Sequence, residues 1–238
     1  MSYRSLERID NYFFYTPIAG CSLFIIITFI AMIFYPGGTK VDPSTKGYNL
    51  FMNFFSDLGR TISHSGSVNT ISFVLFVIAL SLSGISFILF FNSLPKFLPQ
   101  TSITKLYGNY IRTTGIIAGL AIIGIAFTPA DIIQFFHDLM VLIAFTSILL
   151  TSIGLMWIIF NSKEFHQIYT ITYLILMAFI LIYAIVGLLF FQINTREGLF
   201  LRVTAQKIVV YFLNICYVIQ CIGLIKYQQR VKFHPLDK

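Results

Sequence analysis

The sequence predicts an all-α membrane protein, a bundle of six transmembrane helices in one domain that spans residues 1–238. Hydrophobic residues make up 57% of the chain and charged residues only 11%, against about 25% in soluble domains. Six long segments carry no formal charge. A membrane-spanning helix needs roughly 20 mostly apolar residues, and it must satisfy its own backbone because hydrocarbon offers no hydrogen-bond partners.

The first three spans are predicted at 14–35, 68–91 and 106–128. The first follows Glu7 and Asp10 and ends at Tyr35-Pro36 without a small-x-small cleavage site, which favours a span over a signal peptide. The second follows the longest loop, 36–67, whose Pro-Gly-Gly and Asp-Pro-Ser sequences are turn signals. The third contains a G-x-x-x-G pattern at Gly115 and Gly119, which predicts close helix packing and allows a homo-oligomer through that face.

The last three spans are predicted at 139–160, 168–193 and 208–225, followed by a basic cytoplasmic tail, 226–238. All three cysteines, Cys21, Cys216 and Cys221, fall within spans, so a disulfide framework is not expected. Ten of the sixteen Lys and Arg residues lie on the side of the termini and six on the other. The positive-inside rule therefore predicts cytoplasmic termini.

The net charge of +7 does not indicate a nucleic-acid partner, because the basic residues lie in short loops and tails where they orient membrane proteins. Acidic and histidine side chains gather instead at the predicted extracytoplasmic mouth. Such groups are costly to desolvate at a membrane boundary, so a functional site is a reasonable hypothesis. The candidate lipid or head-group ligands are Asp57, Arg60, His64, Asp131, His137, Asp138 and Arg196.

Three other roles are open for this cluster. His and Asp are metal ligands, but H-x-x-x-H and H-E-x-x-H spacings do not occur, so no metal or other cofactor is predicted. Ser56, Asp57 and His137 could form a nucleophile, orienter and base, although no G-x-S-x-G elbow is present. In a structural role, Asp57 would cap the approach to span two or pair with Arg60, Asp131 would cap span four, and His137 would bond to the first outer loop.

Two short motifs resemble a known family. The segment Asn53-Phe54-Phe55-Ser56-Asp57-Leu58-Gly59 resembles an S-D-x-G approach to span two, and Gly124 to Pro129 followed by His137 resembles a joint between spans three and four. Together they resemble a prokaryotic six-helix membrane family of unknown function, distantly similar to DRAM/Frag/Sfk-type membrane proteins. The resemblance implies a link to membrane lipids rather than one shared reaction, with Asp57 and His137 as signature positions. It also implies that the protein lies in the plasma membrane of a prokaryote.

The leading functional prediction is the binding or handling of a membrane lipid at the extracytoplasmic site. The aromatic loop 49–55 would supply an apolar wall beside the polar rim of Asp57 and Arg60. An intramembrane hydrolase or acyltransferase that uses Ser56, Asp57 and His137 is the alternative. A small proton-coupled carrier is less favoured, because no acidic residue is predicted in the middle of a span.

Overall fold

A computed structural model describes residues 3–162, 164–190 and 195–233. Its six α-helices are α1 (Tyr3–Ile33), α2 (Thr70–Ser93), α3 (Ser102–Ala126), α4 (Gln134–Phe160), α5 (Gln167–Leu189) and α6 (Arg196–Phe233). Each is long and apolar enough to cross a membrane, and the described residues contain no strand. The predicted fold class is confirmed: the protein is an all-α, polytopic membrane protein.

The helices form a closed ring in chain order. Each helix packs against its neighbours in the sequence, and α1 also packs against α6, which closes the ring. Near the end of the bundle where the chain begins and ends, aromatic side chains fill the centre of the ring. The Phe87 ring of α2 lies 4.7 Å from the Tyr217 ring of α6, and Phe91 lies 5.8 Å from Tyr217. The centre of the ring is therefore closely packed at this end.

Glycines bring α2 and α3 into close contact. A Cβ atom at Gly119 would lie 2.7 Å from the backbone oxygen of Gly84, and one at Gly115 would collide with the Phe91 ring. The G-x-x-x-G face is thus used inside the chain, where small residues allow two helix backbones to approach. A homo-oligomer stays a prediction, but while α2 is in place it would need a face other than that of Gly115 and Gly119.

Five of the six helices begin earlier than predicted, by one to twelve residues, and α1 begins at Tyr3 rather than at 14. Helix α6 begins at Arg196 rather than at 208, and α4 begins at Gln134 rather than at 139. The predicted starts were placed after the last charge, but charged side chains near a helix end can be satisfied by neighbouring segments or by snorkelling. Helix α6 also continues to Phe233, so most of the predicted tail is helical, and residues 234–238 lie outside the described residues.

Residues 34–69 fold over the end of the ring opposite the termini, which we call the capped end. The segment closes on itself: Gly38 N–H donates to the Thr45 oxygen at 2.7 Å, and Asn53 Nδ2 donates to the Gly38 oxygen at 2.9 Å. Gly38 has a φ of 80°, and a Cβ atom there would clash with His64. Only glycine fits this position without strain.

Candidate functional site

Asp57 is the most buried acidic side chain at the capped end among the residues that the structure describes. It lies in a short 3₁₀-helix, Phe55–Gly59, and is only 5% exposed. Its carboxylate accepts hydrogen bonds from Asn53 Nδ2 at 3.0 Å, from Phe54 N–H at 2.9 Å and from His64 Nε2 at 3.0 Å. The side chain therefore folds back on the free N–H groups at the start of its own helix, as N-terminal carboxylates commonly do.

Of the two structural roles predicted for Asp57, capping the approach to span two agrees with its bond from Phe54 N–H, whereas the pairing with Arg60 is wrong. Arg60 Nε donates to the Ile62 carbonyl at 3.1 Å, and His64 takes the place beside the carboxylate. The backbone N–H of His64 donates to the Tyr35 hydroxyl at 3.3 Å. Burial and the negative charge of Asp57 raise the pKa of the Tyr35 phenol to about 12, so it stays protonated at neutral pH.

Asp131 connects the cap to the loop between α3 and α4. Its carboxylate accepts from the Thr61 hydroxyl at 2.7 Å, from Thr61 N–H at 3.0 Å and from Ile62 N–H at 2.9 Å. Burial pushes the pKa of Asp131 upwards, but the hydrogen bonds from Thr61 and Ile62 outweigh it and hold that pKa below its ordinary value. The predicted cap of span four is therefore wrong, and Ile133 occupies the N-cap position of α4.

His137 lies in the first turn of α4 and is 4% exposed. Its Nδ1 is 2.7 Å from the Thr128 carbonyl oxygen. Because a carbonyl can only accept, Nδ1 must carry a proton, and Nε2 is left available for another partner. The expected bond to the first outer loop is wrong, since Thr128 belongs to the loop that leads into α4 itself.

A polar chamber lies at the capped end and brings most of the predicted residues together. It has a volume of about 170 Å³ and contains six of the eight candidates. Its walls are formed by Lys40, Phe54, Ser56, Asp57, Arg60, His64, Ala130, Gln134, His137, Asp138, Val141, Tyr183, Arg202 and Gln206. Asp131 does not line the chamber but holds Thr61 next to Arg60, while Arg196 lies elsewhere.

An apolar cavity of about 100 Å³ adjoins the chamber inside the ring. Helices α1, α2, α3, α4 and α6 contribute its walls, which are mostly Phe, Leu, Ile and Val, with Phe87 among them. Four residues line both spaces and define what we call the neck: Ser56, His137, Val141 and Gln206. The polar chamber therefore passes into an apolar one across the neck.

Arg196 faces a separate surface groove of about 560 Å³, together with Phe51, Met52 and Phe200. The Phe51 and Phe200 rings lie 5.9 Å apart. The aromatic loop 49–55 is thus divided between two surroundings. Phe51 faces the groove, whereas the Phe55 ring is buried 5.4 Å from the Tyr211 ring of α6.

Sequence reasoning missed Gln206 and Lys207, which hold the cap to α6. Gln206 Oε1 accepts from Phe55 N–H at 2.9 Å. The buried Lys207 ammonium donates to the Asn53 carbonyl and lies 5.2 Å from the centres of the Tyr48 and Phe55 rings. A signal was available: the apolar residues Leu199 and Val203 lie four positions apart, as on one face of a helix, which would have extended the last span towards its true start.

The geometry also bears on the metal and catalytic alternatives. Among the described residues, no group of three His, Cys, Asp or Glu side chains is placed to hold a metal ion. Within the same part of the chain, no hydrogen bond joins His137 to Ser56 or to Asp57. Asp57 is bonded to His64 and His137 to Thr128, so the predicted nucleophile, base and orienter are not connected.

Fold and site together define the protein as an integral membrane protein with six spanning helices and a polar chamber at the capped end. Comparisons with protein-family models, with curated proteins and with solved structures find no match to this chain. The resemblance to the DRAM/Frag/Sfk-type family stays a prediction.

Proposed function

We propose that the protein binds a membrane amphiphile, with its polar head group in the chamber and part of its hydrocarbon chain in the apolar cavity. The observation that carries this proposal is the shared neck. Ser56, His137, Val141 and Gln206 line a polar space on one side and an apolar space on the other. An amphiphile likewise has a polar head group and an apolar chain, so a ligand that crosses the neck would place each part in a space of the same polarity.

The physical chemistry of the two spaces supports this order. The cavity walls are mostly aromatic and aliphatic, so they favour a hydrocarbon segment, whose transfer out of water is driven by the hydrophobic effect. Each buried methylene group contributes about 0.8 kcal/mol. The chamber, in contrast, is polar: Arg60, His64, Asp138 and other polar side chains line it and suit a hydrated head group.

The geometry favours binding over the other predicted functions. A hydrolase or acyltransferase would need Ser56, His137 and Asp57 to act as one unit, whereas Asp57 and His137 are each bonded to other partners. A proton-coupled carrier usually has an acid near the middle of a span. In the part of the chain that the structure describes, no Asp or Glu lies near the middle of a helix.

By the positive-inside count, this site belongs to the extracytoplasmic side, and the ligand to the outer leaflet of a prokaryotic plasma membrane. The relevant partners are therefore membrane lipids.

Blocking the neck tests the proposal. Val141→Trp would place a large ring between the two spaces, and Leu142→Trp on the next residue of α4 would project from a side chain that is 64% exposed. We expect lipid that copurifies with the protein, measured by mass spectrometry, to be lost in Val141→Trp and retained in Leu142→Trp. Equal retention in both variants, with equal melting temperatures, would exclude a ligand that crosses the neck.

A further inference from the structure

We infer that the ligand of the polar chamber is an amphiphile with an anionic head group and a single hydrocarbon chain, such as a long-chain phosphate monoester. This inference rests on the proposed function, because it names the ligand class of the same two spaces. It comes from the charges of the chamber and the size of the cavity beyond the neck.

Three cationic side chains line the chamber: Lys40, Arg60 and Arg202. Lys40 and Arg60 form no ion pair with any residue that the structure describes, and the Arg202 guanidinium lies 5.5 Å from the centre of the Phe54 ring. Guanidinium groups match phosphate oxygens through paired N–H donors, and the Lys ammonium adds a compact positive charge. The cations therefore come from three parts of the chain but face one space.

The two carboxylates of the chamber accept hydrogen bonds from amide groups and from a histidine. Asp57 accepts from Asn53, Phe54 and His64, and Asp138 accepts from Gln134 Nε2 at 2.8 Å. Neither carboxylate forms an ion pair with Lys40 or Arg60. The three cations outnumber these two carboxylates, so the charge of the chamber favours an anionic head group over a cationic one.

The neck contains His137, whose ring can form a hydrogen bond with an oxygen atom of an acidic head group. His137 keeps Nδ1 on the Thr128 carbonyl, so its other ring nitrogen, Nε2, is available for a hydrogen bond with a phosphate oxygen. Because His137 lines both spaces, this nitrogen belongs to the boundary where head group and chain would join.

The size of the apolar cavity limits the hydrophobic part. Its volume of about 100 Å³ is well below the roughly 300–1,000 Å³ of pockets that hold drug-sized ligands. Phe87 forms part of the cavity wall, and its ring packs against Tyr217 behind it, 4.7 Å between ring centres. One slim chain segment fits such a space, whereas the two tails of a diacyl lipid do not.

The test compares probes that share one chain and differ in charge. Protein in nanodiscs of a neutral, zwitterionic lipid is titrated with dodecyl phosphate, dodecyl maltoside and dodecyltrimethylammonium, and binding is measured by calorimetry. We expect dodecyl phosphate to bind about tenfold or more tightly than the other two, since charge-assisted hydrogen bonds are the stronger ones. Arg60→Gln and Lys40→Gln should each remove most of this preference, while Lys105→Gln, an exposed cation on α3, should leave it unchanged.

The outcomes separate this inference from the proposed function. Equal affinity for the three dodecyl probes, all blocked by Val141→Trp, would overturn the anionic head group and leave the amphiphile site standing. Binding that ignores Val141→Trp for every probe would overturn both. Inorganic phosphate that binds as tightly as dodecyl phosphate, or a two-chain phosphatidate that does so, would overturn the single chain. Where Val141→Trp lowers the melting temperature, Ala144→Leu narrows the same cavity with a smaller side chain.

Discussion

At the scale of single residues, the capped end is held together by buried acceptors with several donors each. Asp57 takes three hydrogen bonds and Asp131 takes bonds from both the backbone and the side chain of Thr61. A carboxylate offers about four acceptor positions and no donor, so it suits a site where backbone N–H groups converge. Replacing either group by an amide tests that role directly.

Asp57→Asn should lower the free energy of unfolding by about 1–3 kcal/mol. The new side-chain NH2 group would point at a hydrogen-bond donor that now binds the carboxylate, and that donor would lose its acceptor. If Asp57 also shapes the head-group chamber, lipid retention should fall in protein that remains folded. Chemical denaturation and lipid mass spectrometry on the same sample measure both effects. Glu197→Gln, an exposed acid in the first turn of α6, is the control and should change stability by no more than about 0.5 kcal/mol. Unchanged stability and retention in Asp57→Asn would remove Asp57 from the site.

Asp131 predicts a sensitivity to acid. Its pKa is lowered in the folded protein, so its contribution is fully present above the ordinary Asp pKa of about 3.9 and is lost as the pH falls through the lower folded value. Melting temperature measured from pH 6 down to pH 3 should therefore fall less steeply in Asp131→Asn than in the wild type. At neutral pH the variant should lose about 1–2 kcal/mol, a figure reduced for partial exposure. Parallel pH profiles for the two proteins would contradict the prediction.

At the scale of elements, close contact between helices and the attachment of the cap depend on a few positions. Gly84 and Gly119 let α2 and α3 touch through their backbones. Gln206 and Lys207 on α6 bind the Asn53 and Phe55 backbone, which fixes the cap over the ring. The chamber is therefore a space between a loop segment and a helix ring that are joined at defined points.

Gly119→Ala should destabilise the protein by about 1–3 kcal/mol, because its methyl group would lie 2.7 Å from the Gly84 backbone oxygen and force the two helices apart. Gly187→Ala is the matched control on α5, where a Cβ atom would meet nothing within 4 Å. That change should be neutral or stabilise by up to about 1 kcal/mol, because alanine favours the helix. Thermal unfolding in one detergent compares the pair, and equal melting temperatures would refute the close contact.

At the scale of the whole molecule, the polar chamber and the apolar cavity both lie towards the capped end of the ring, and therefore towards one face of the membrane. Phe87, Phe91 and Tyr217 fill the centre of the ring near the termini, while the chamber and the apolar cavity occupy the half below the cap. The distribution of Lys and Arg predicts which face of the membrane this is.

A single cysteine at Lys46, in a variant without Cys21, Cys216 and Cys221, should react with an impermeant maleimide on intact cells. Lys46 is exposed on the cap, and a cysteine at Lys105, exposed at the other end, should react only after lysis. The native cysteines are buried, so their removal leaves the labelled surface unchanged. The opposite labelling pattern would reverse the orientation and place the amphiphile site on the cytoplasmic side.

The sequence by itself determined the class of the protein and the number of its spans. The length of an uncharged apolar run is a local property, and the thickness of the bilayer sets the length that a spanning helix needs. It also determined that Ser56, Asp57 and His137 share one membrane face, since successive helices alternate in direction. Their gathering around one chamber agrees with that inference.

Only the tertiary structure decided which residues form hydrogen bonds with one another. Asp131 bonds to Thr61 across 70 positions of the chain, Lys207 bonds to Asn53 across 154, and Asp57 takes His64 rather than the nearer Arg60. These choices depend on how the cap lies on the ring, and a hydrogen bond forms only within a few tenths of an ångström of its ideal length. The neck between a polar and an apolar space is likewise a property of the packed helices, and no single segment of the sequence contains it.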